Sequence, residues 1–154
     1  MDFDVNVRER ILKPVSEVFD AVIDPHKMSN YFISGAGGPI KVGRVEWEFG
    51  DVAAKVSIDV LEVEENRKIV LESSALGPRL RTTIGFAPDG PAATVVTVTE
   101  SAFPLTEEGV KLALGQNAGW TYTLCGLKAY AQFGINLRTG LNQRLTDVEG
   151  APGE

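Results

Sequence analysis

Apolar and polar side chains alternate at the start of the chain. Phe3, Val5 and Val7 fall on one side and Asp4, Asn6 and Arg8 on the other, so residues 3–12 read as a half-buried strand. Lys13-Pro14 ends it, and the period then becomes helical: Val15, Val18, Phe19, Val22 and Ile23 recur about one turn apart, with Pro14 or Ser16 at the N-terminus. Asp24-Pro25 stops that helix, and His26 to Phe32 reads as a second short helix or turn. The glycine-rich stretch from Ser34 to Pro39 reads as a loop whose backbone can take positive φ, with mobility expected of it.

Strands separated by turn signals follow. Val45, Trp47 and Phe49 alternate with Arg44, Glu46 and Glu48, and Gly50-Asp51 turns the chain into a strand over 52–63. In that strand Val56, Ile58 and Val60 share a face while Leu61 and Val63 take the opposite phase, which predicts a bulge near Leu61. Residues 68–73 form a short strand, residues 79–86 another with Leu80, Thr82, Ile84 and Phe86 on one face, and Pro88 to Pro91 a turn. The Val- and Thr-rich run from Ala93 to Ser101 is the most β-prone segment.

From Thr106, an N-cap candidate followed by Glu107 and Glu108, the pattern is helical again. Ala113, Trp120, Leu124, Leu127 and Ala131 make a stripe at helical spacing, the longest element of the chain. Four glycines inside it, Gly109, Gly115, Gly119 and Gly126, predict close packing or a bend. The pattern fades after Gly134. Residues 1–138 are expected to form one domain and 139–154 a loosely held polar tail. The order is strand, two short helices, about six antiparallel strands and one long C-terminal helix. Such a sheet has a face to bury and only that helix is large enough to cover it, so an α+β helix-on-sheet grip is expected.

Composition narrows the function classes. A chain of 154 residues with 44% hydrophobic and 23% charged side chains fits one soluble globular domain. Fifteen Lys and Arg against 21 Asp and Glu give a net charge of −6, which argues against nucleic acid as a partner. Cys125 is the only cysteine, so no intrachain disulfide is possible and a reducing, cytoplasmic setting is expected. The charged first twenty residues hold no apolar run long enough for a signal-peptide core or membrane span.

Five pieces in order carry a family resemblance. They are Lys13-Pro14-Val15-Ser16-Glu17-Val18-Phe19, Asp24 to Phe32, Gly43-Arg44-Val45-Glu46-Trp47, Val98 to Phe103, and Gly119-Trp120 with Leu127-Lys128-Ala129-Tyr130. With the first strand they span residues 3 to about 134 and resemble the START-like (SRPBCC) superfamily. Within it the chain is most similar to the branch named for the activator of heat-shock-protein-90 ATPase homologues. The departures are Tyr31, where the family often has Trp, and Ser101-Ala102-Phe103, where it often has Ser-Gly-Phe. The resemblance implies a helix-grip, Bet v 1/START-like fold: a curved antiparallel sheet wrapped around the C-terminal helix, with a cavity between them. It also implies that Tyr31 and Phe32 sit at the cavity mouth, the alternative being packing under the first helix.

The chemistry is sparse. His26 is the only histidine and follows Asp24-Pro25 at a helix start, where a surface or capping role is expected; no Gly-x-Ser-x-Gly elbow accompanies it. One His and one Cys do not make a metal site, and the Gly35 to Gly38 cluster lacks the ending of a phosphate loop, so neither metal nor cofactor is expected. Trp47, Phe49, Phe86, Trp120 and Leu124 would wall a pocket or fill a core. Glu100 shares a strand phase with Val96 and Val98: facing inward it would be a polar anchor or acid/base group, and in the opposite phase it would be solvated. Asn117, on the helical stripe that runs from Ala113 to Ala131, would orient a ligand or serve as a core amide. Arg79 and Arg81 are expected on the solvent side.

The function expected first is binding of an apolar or aromatic small molecule, lipid-like or secondary-metabolite-like, in the cavity. An enzyme of cyclase, hydratase or hydrolase type would need Glu100, His26 or Tyr122 in the pocket. A chaperone or stress-response module would show a filled core and an exposed apolar patch, and a homodimer is left open.

Overall fold

A computed structural model describes residues 1–49 and 54–139. The turn at Gly50-Asp51, the first residues of the following strand and the tail beyond Thr139 lie outside the described residues. Strand β1 (Asp2–Ile11) leads to helices α1 (Val15–Ile23) and α2 (Pro25–Met28). Strands β2 (Gly35–Ala36), β3 (Gly43–Phe49), β4 (Ala54–Glu64), β5 (Lys68–Ser73), β6 (Leu80–Pro88) and β7 (Thr94–Pro104) follow, and α3 (Glu107–Phe133) completes the order. All neighbours are antiparallel in a seven-stranded sheet of order β1-β7-β6-β5-β4-β3-β2. This is the α+β helix-grip arrangement that the period changes in the sequence call for.

Local chemistry accounts for the details. The register shifts between Val60 and Glu62, the bulge expected at Leu61, and Leu61 faces solvent. The glycine-rich loop is partly strand: Gly35 and Ala36 pair with Glu48 and Trp47, and the Ser34 N–H and hydroxyl both donate to the Glu48 carbonyl. Asp24 ends α1 and its side chain accepts from the His26 N–H at the start of α2. Thr106 accepts from the Gly109 N–H, and Gly134, at φ 68°, closes α3 in the left-handed conformation.

The core divides in two. The larger part packs α1, α2 and the C-terminal half of α3 on the sheet through Val18, Phe19, Met28, Val96, Leu124 and Leu127. The smaller part joins Val5, Leu80, Phe103 and Ala113 at the other end of α3. Ala113 and Leu124 are about 16 Å apart along the helix. Between these two seats the helix passes over a space that its side chains do not fill.

Candidate functional site

That space is a cavity of about 530 Å³ between sheet and helix. Its apolar wall comes from alternate residues of β3 to β6, among them Trp47, Phe49, Ile58, Leu71 and Leu80, because a strand sends every second side chain to the same face. Phe32, just beyond α2, completes an aromatic cluster. Its ring lies 5.2 Å from Trp47, 5.4 Å from Phe49 and 5.5 Å from Trp120, edge-on to the first two. Trp47 is buried, and its indole nitrogen has no hydrogen-bond partner among the described residues.

Glu100 faces inward. Thr94, Val96, Val98 and Glu100 form the buried phase of β7, and Glu100 is only 4% exposed. Thr82 lies directly opposite on β6 and its hydroxyl donates to Glu100 Oε2 at 2.6 Å. From the helix above, Trp120 Nε1 donates to the same oxygen at 3.2 Å and Gln116 Nε2 to Oε1 at 2.7 Å. None of the ion pairs among the described residues includes Glu100. A buried carboxyl held by three neutral donors is satisfied without a countercharge and sits on the cavity wall, a polar point in an apolar lining.

A second carboxylate on the lining, Glu72, is held differently. Arg79 and Arg81 donate to its two oxygens at 2.8 to 3.0 Å, and Arg79 also reaches Asp59 at 2.9 Å. Hydrogen bonds from Arg81 and Arg79 hold Glu72 below the usual carboxylate range, and those from Arg79 and Arg44 do the same for Asp59. Arg79 and Arg81 are on the solvent side, as expected, but paired rather than merely hydrated. Arg138, after α3, is the only cation among the described lining residues.

Of the residues expected to line a pocket, Phe32, Trp47, Phe49, Glu100 and Trp120 do so. Four do not. Phe86 packs edge-on against Phe19 at 5.1 Å under α1, and Leu124 is buried in the same core. Tyr31 is buried under α1, where its hydroxyl donates to the Ala21 carbonyl at 2.8 Å and its ring stacks on Tyr130. The helical partner of that carbonyl would be residue 25, which is Pro25 and has no N–H, so Tyr31 satisfies an otherwise orphaned acceptor. Asn117 is exposed: residues 116 and 117 are about 100° apart around the helix, and the buried stripe leans toward Gln116, Thr123 and Leu127. His26 is exposed on α2, away from the cavity.

Gln116, Thr82 and Arg138 carry site contacts that the sequence reading missed. The spacing of Gln116 and Trp120, four residues apart on the helix, and the one polar position among Leu80, Ile84 and Phe86 were the available signals. No group of His, Cys, Asp and Glu among the described residues could hold a metal, and no described helix is long and apolar enough to cross a membrane.

Comparison with known proteins agrees with this architecture. A Staphylococcus saprophyticus protein of known structure is 29% identical over 88% of this chain and 96% of its own, with a TM-score of 0.77. DynU16, a protein of the dynemicin biosynthetic locus, is 26% identical over 88% of this chain with the same TM-score of 0.77, and the chain spans about half (49%) of DynU16. The Aha1 dimer from Colwellia psychrerythraea shares the fold at 16% identity, covering 85% of this chain and 97% of its own, with a TM-score of 0.72. No curated protein sequence matches the chain. The family described as Activator of Hsp90 ATPase homolog 1-like protein matches residues 13–132, more than half of the chain and across both walls of the cavity, and the chain belongs to that family.

Proposed function

We propose that the protein binds an apolar or aromatic small molecule in the cavity between sheet and helix, with Glu100 as the polar anchor. The observation that carries this reading is the lining. About 530 Å³ lies within the range of small-molecule sites, roughly 300–1,000 Å³, and such sites pair apolar walls with a few placed polar groups. Phe32, Trp47, Phe49 and Trp120 form the flat apolar part, and Glu100, Thr82 and Gln116 form the polar end. Similarity to a protein of a biosynthetic locus agrees with a small organic molecule as the ligand of this chain.

An enzymatic reading has less support. His26 is outside the cavity, whereas Glu100 and Tyr122 both line it, the Tyr122 hydroxyl donating to the Leu137 carbonyl, so these two are the acid/base candidates. A chaperone-type module calls for a filled core, and this one holds a cavity. The test is intrinsic tryptophan fluorescence during titration with aromatic and fatty-acid-like compounds, with Trp120→Phe as control. A saturable change that alters in the control supports the cavity site. No response to any compound, with emission already that of a closed dry core, overturns it.

A further inference from the structure

The hydrogen-bond inventory around Glu100 goes further and names the chemistry of the ligand's head; it rests on the cavity reading above. A carboxylate offers about four acceptor positions. Thr82 and Trp120 occupy two on Oε2, and Gln116 occupies one on Oε1. One position on Oε1 is left.

The donors of this corner are largely spent. The Thr82 hydroxyl and the Trp120 indole N–H each have one proton to give, and both go to Glu100. Gln116 commits one of its two N–H groups there, while its carbonyl oxygen receives no donor from the described residues. The remaining indole on the wall, Trp47 Nε1, is covered by neighbouring atoms. What the corner offers an incoming molecule is therefore mostly lone pairs: Oε1 of Glu100, the Gln116 carbonyl and the second face of the Thr82 hydroxyl. A second carboxylate brought to this place would set oxygen against oxygen in an apolar surrounding, where an unpaired polar group is costly.

We infer that the cavity selects ligands whose flat apolar body ends in a hydrogen-bond donor, an amine or a hydroxyl, and discriminates against carboxylate-ended ligands of the same shape. The body lies among Phe32, Trp47, Phe49 and Trp120, and the donor reaches Glu100. An ammonium head gains additionally from the faces of these rings. The opposite preference has one cationic source, Arg138, the only Lys or Arg among the described lining residues, and it is separable because that residue lies in the segment after α3.

The experiment is isothermal titration calorimetry with three compounds of one body: naphthylmethylamine, naphthalenemethanol and naphthaleneacetic acid. The amine and the alcohol are expected to bind at least about tenfold more tightly than the acid, and Glu100→Gln, which replaces an acceptor by a donor, is expected to weaken the amine about tenfold or more. A thermal melt monitored by circular dichroism checks that this variant is folded. The comparison of amine with acid on the unaltered protein does not depend on it. If the acid binds as tightly as the amine and Arg138→Ala abolishes that binding, the inference is overturned while the cavity site stands. If none of the three produces heat of binding or displaces a compound found in the fluorescence titration, the inference is overturned here too. If, in addition, no compound changes tryptophan emission, the cavity reading itself fails.

Discussion

Trp120 Nε1 donates to Glu100 Oε2 at 3.2 Å, so the long helix and an interior strand meet across the cavity through one indole and one carboxyl. Removing the indole N–H leaves a buried oxygen with one donor fewer. Trp120→Phe is expected to cost about 1–3 kcal/mol in urea unfolding. The ligand response of its emission should change in size, the remaining signal coming from Trp47, the other tryptophan, which also lines the cavity.

The helix glycines make a clean pair. A Cβ at Gly109 would lie 1.9 Å from the Pro104 carbonyl oxygen, whereas at Gly115 it would meet nothing within 4 Å. Gly115→Ala is expected to stabilise by about 1 kcal/mol through helix propensity. Gly109→Ala is expected to destabilise by about 1–3 kcal/mol despite the same gain, as read from paired denaturation curves.

Burial pushes the Tyr31 hydroxyl above its ordinary value of 10.0, with the neighbouring Tyr130 adding to the shift. The neutral phenol is the form the fold accepts, so its contribution is fully present below pH 10 and is lost as pH rises further, where the unfolded chain ionises first. Wild-type stability is expected to fall above pH 10 more steeply than that of Tyr31→Phe. At neutral pH the variant should be about 1–3 kcal/mol less stable, because the Ala21 carbonyl loses its partner.

Asp59 and Glu72 are both held below the usual carboxylate range by Arg79, together with Arg44 and Arg81 respectively. A depressed carboxyl adds stability above its unfolded value and loses it as pH falls through the folded one, so the pairs should weaken only in acid. In Arg79→Ala both carboxyls are expected to titrate at higher pH, measured from the side-chain carbon shifts by NMR.

Phe86 and Phe49 separate stability from binding. Phe86→Ala opens the core against Phe19 and is expected to cost about 3–5 kcal/mol, with ligand affinity unchanged in the molecules that remain folded. Phe49 is half-buried at the cavity, so Phe49→Ala should cost less stability and more affinity in the same two measurements.

Much of this was legible in the chain. Period two and period 3.6 have different geometric causes, and they separated β1, α1, β3 to β7 and α3, even marking the bulge at Leu61, while β2 lay hidden in the glycine-rich stretch read as a loop. The phase of β7 was not legible, because Val95, Thr97 and Thr99 make as plausible a buried face as Val96 and Val98 do. Only pairing with Thr82 on β6 and the helix overhead decides it. Asn117 and Gln116 show the same limit: neighbours in sequence differ by about 100° around a helix, and a stripe of small and large residues does not fix its own centre line to better than that. Phe86 and Leu124 are apolar on the correct face, but whether such a residue borders an empty volume or a full one depends on which helix lies above it.

Seated on Ala113 at one end and on Leu124 and Leu127 at the other, α3 behaves as a beam resting on two supports. The room beneath it is set by the supports and not by what occupies it. Emptying or filling the chamber is therefore expected to leave the main chain nearly unmoved, and a guest should change the amide spectrum around Phe32, Trp47 and Glu100 far more than at either support. A displacement of Ala113 or Leu127 signals as large as theirs would mean that the beam lifts.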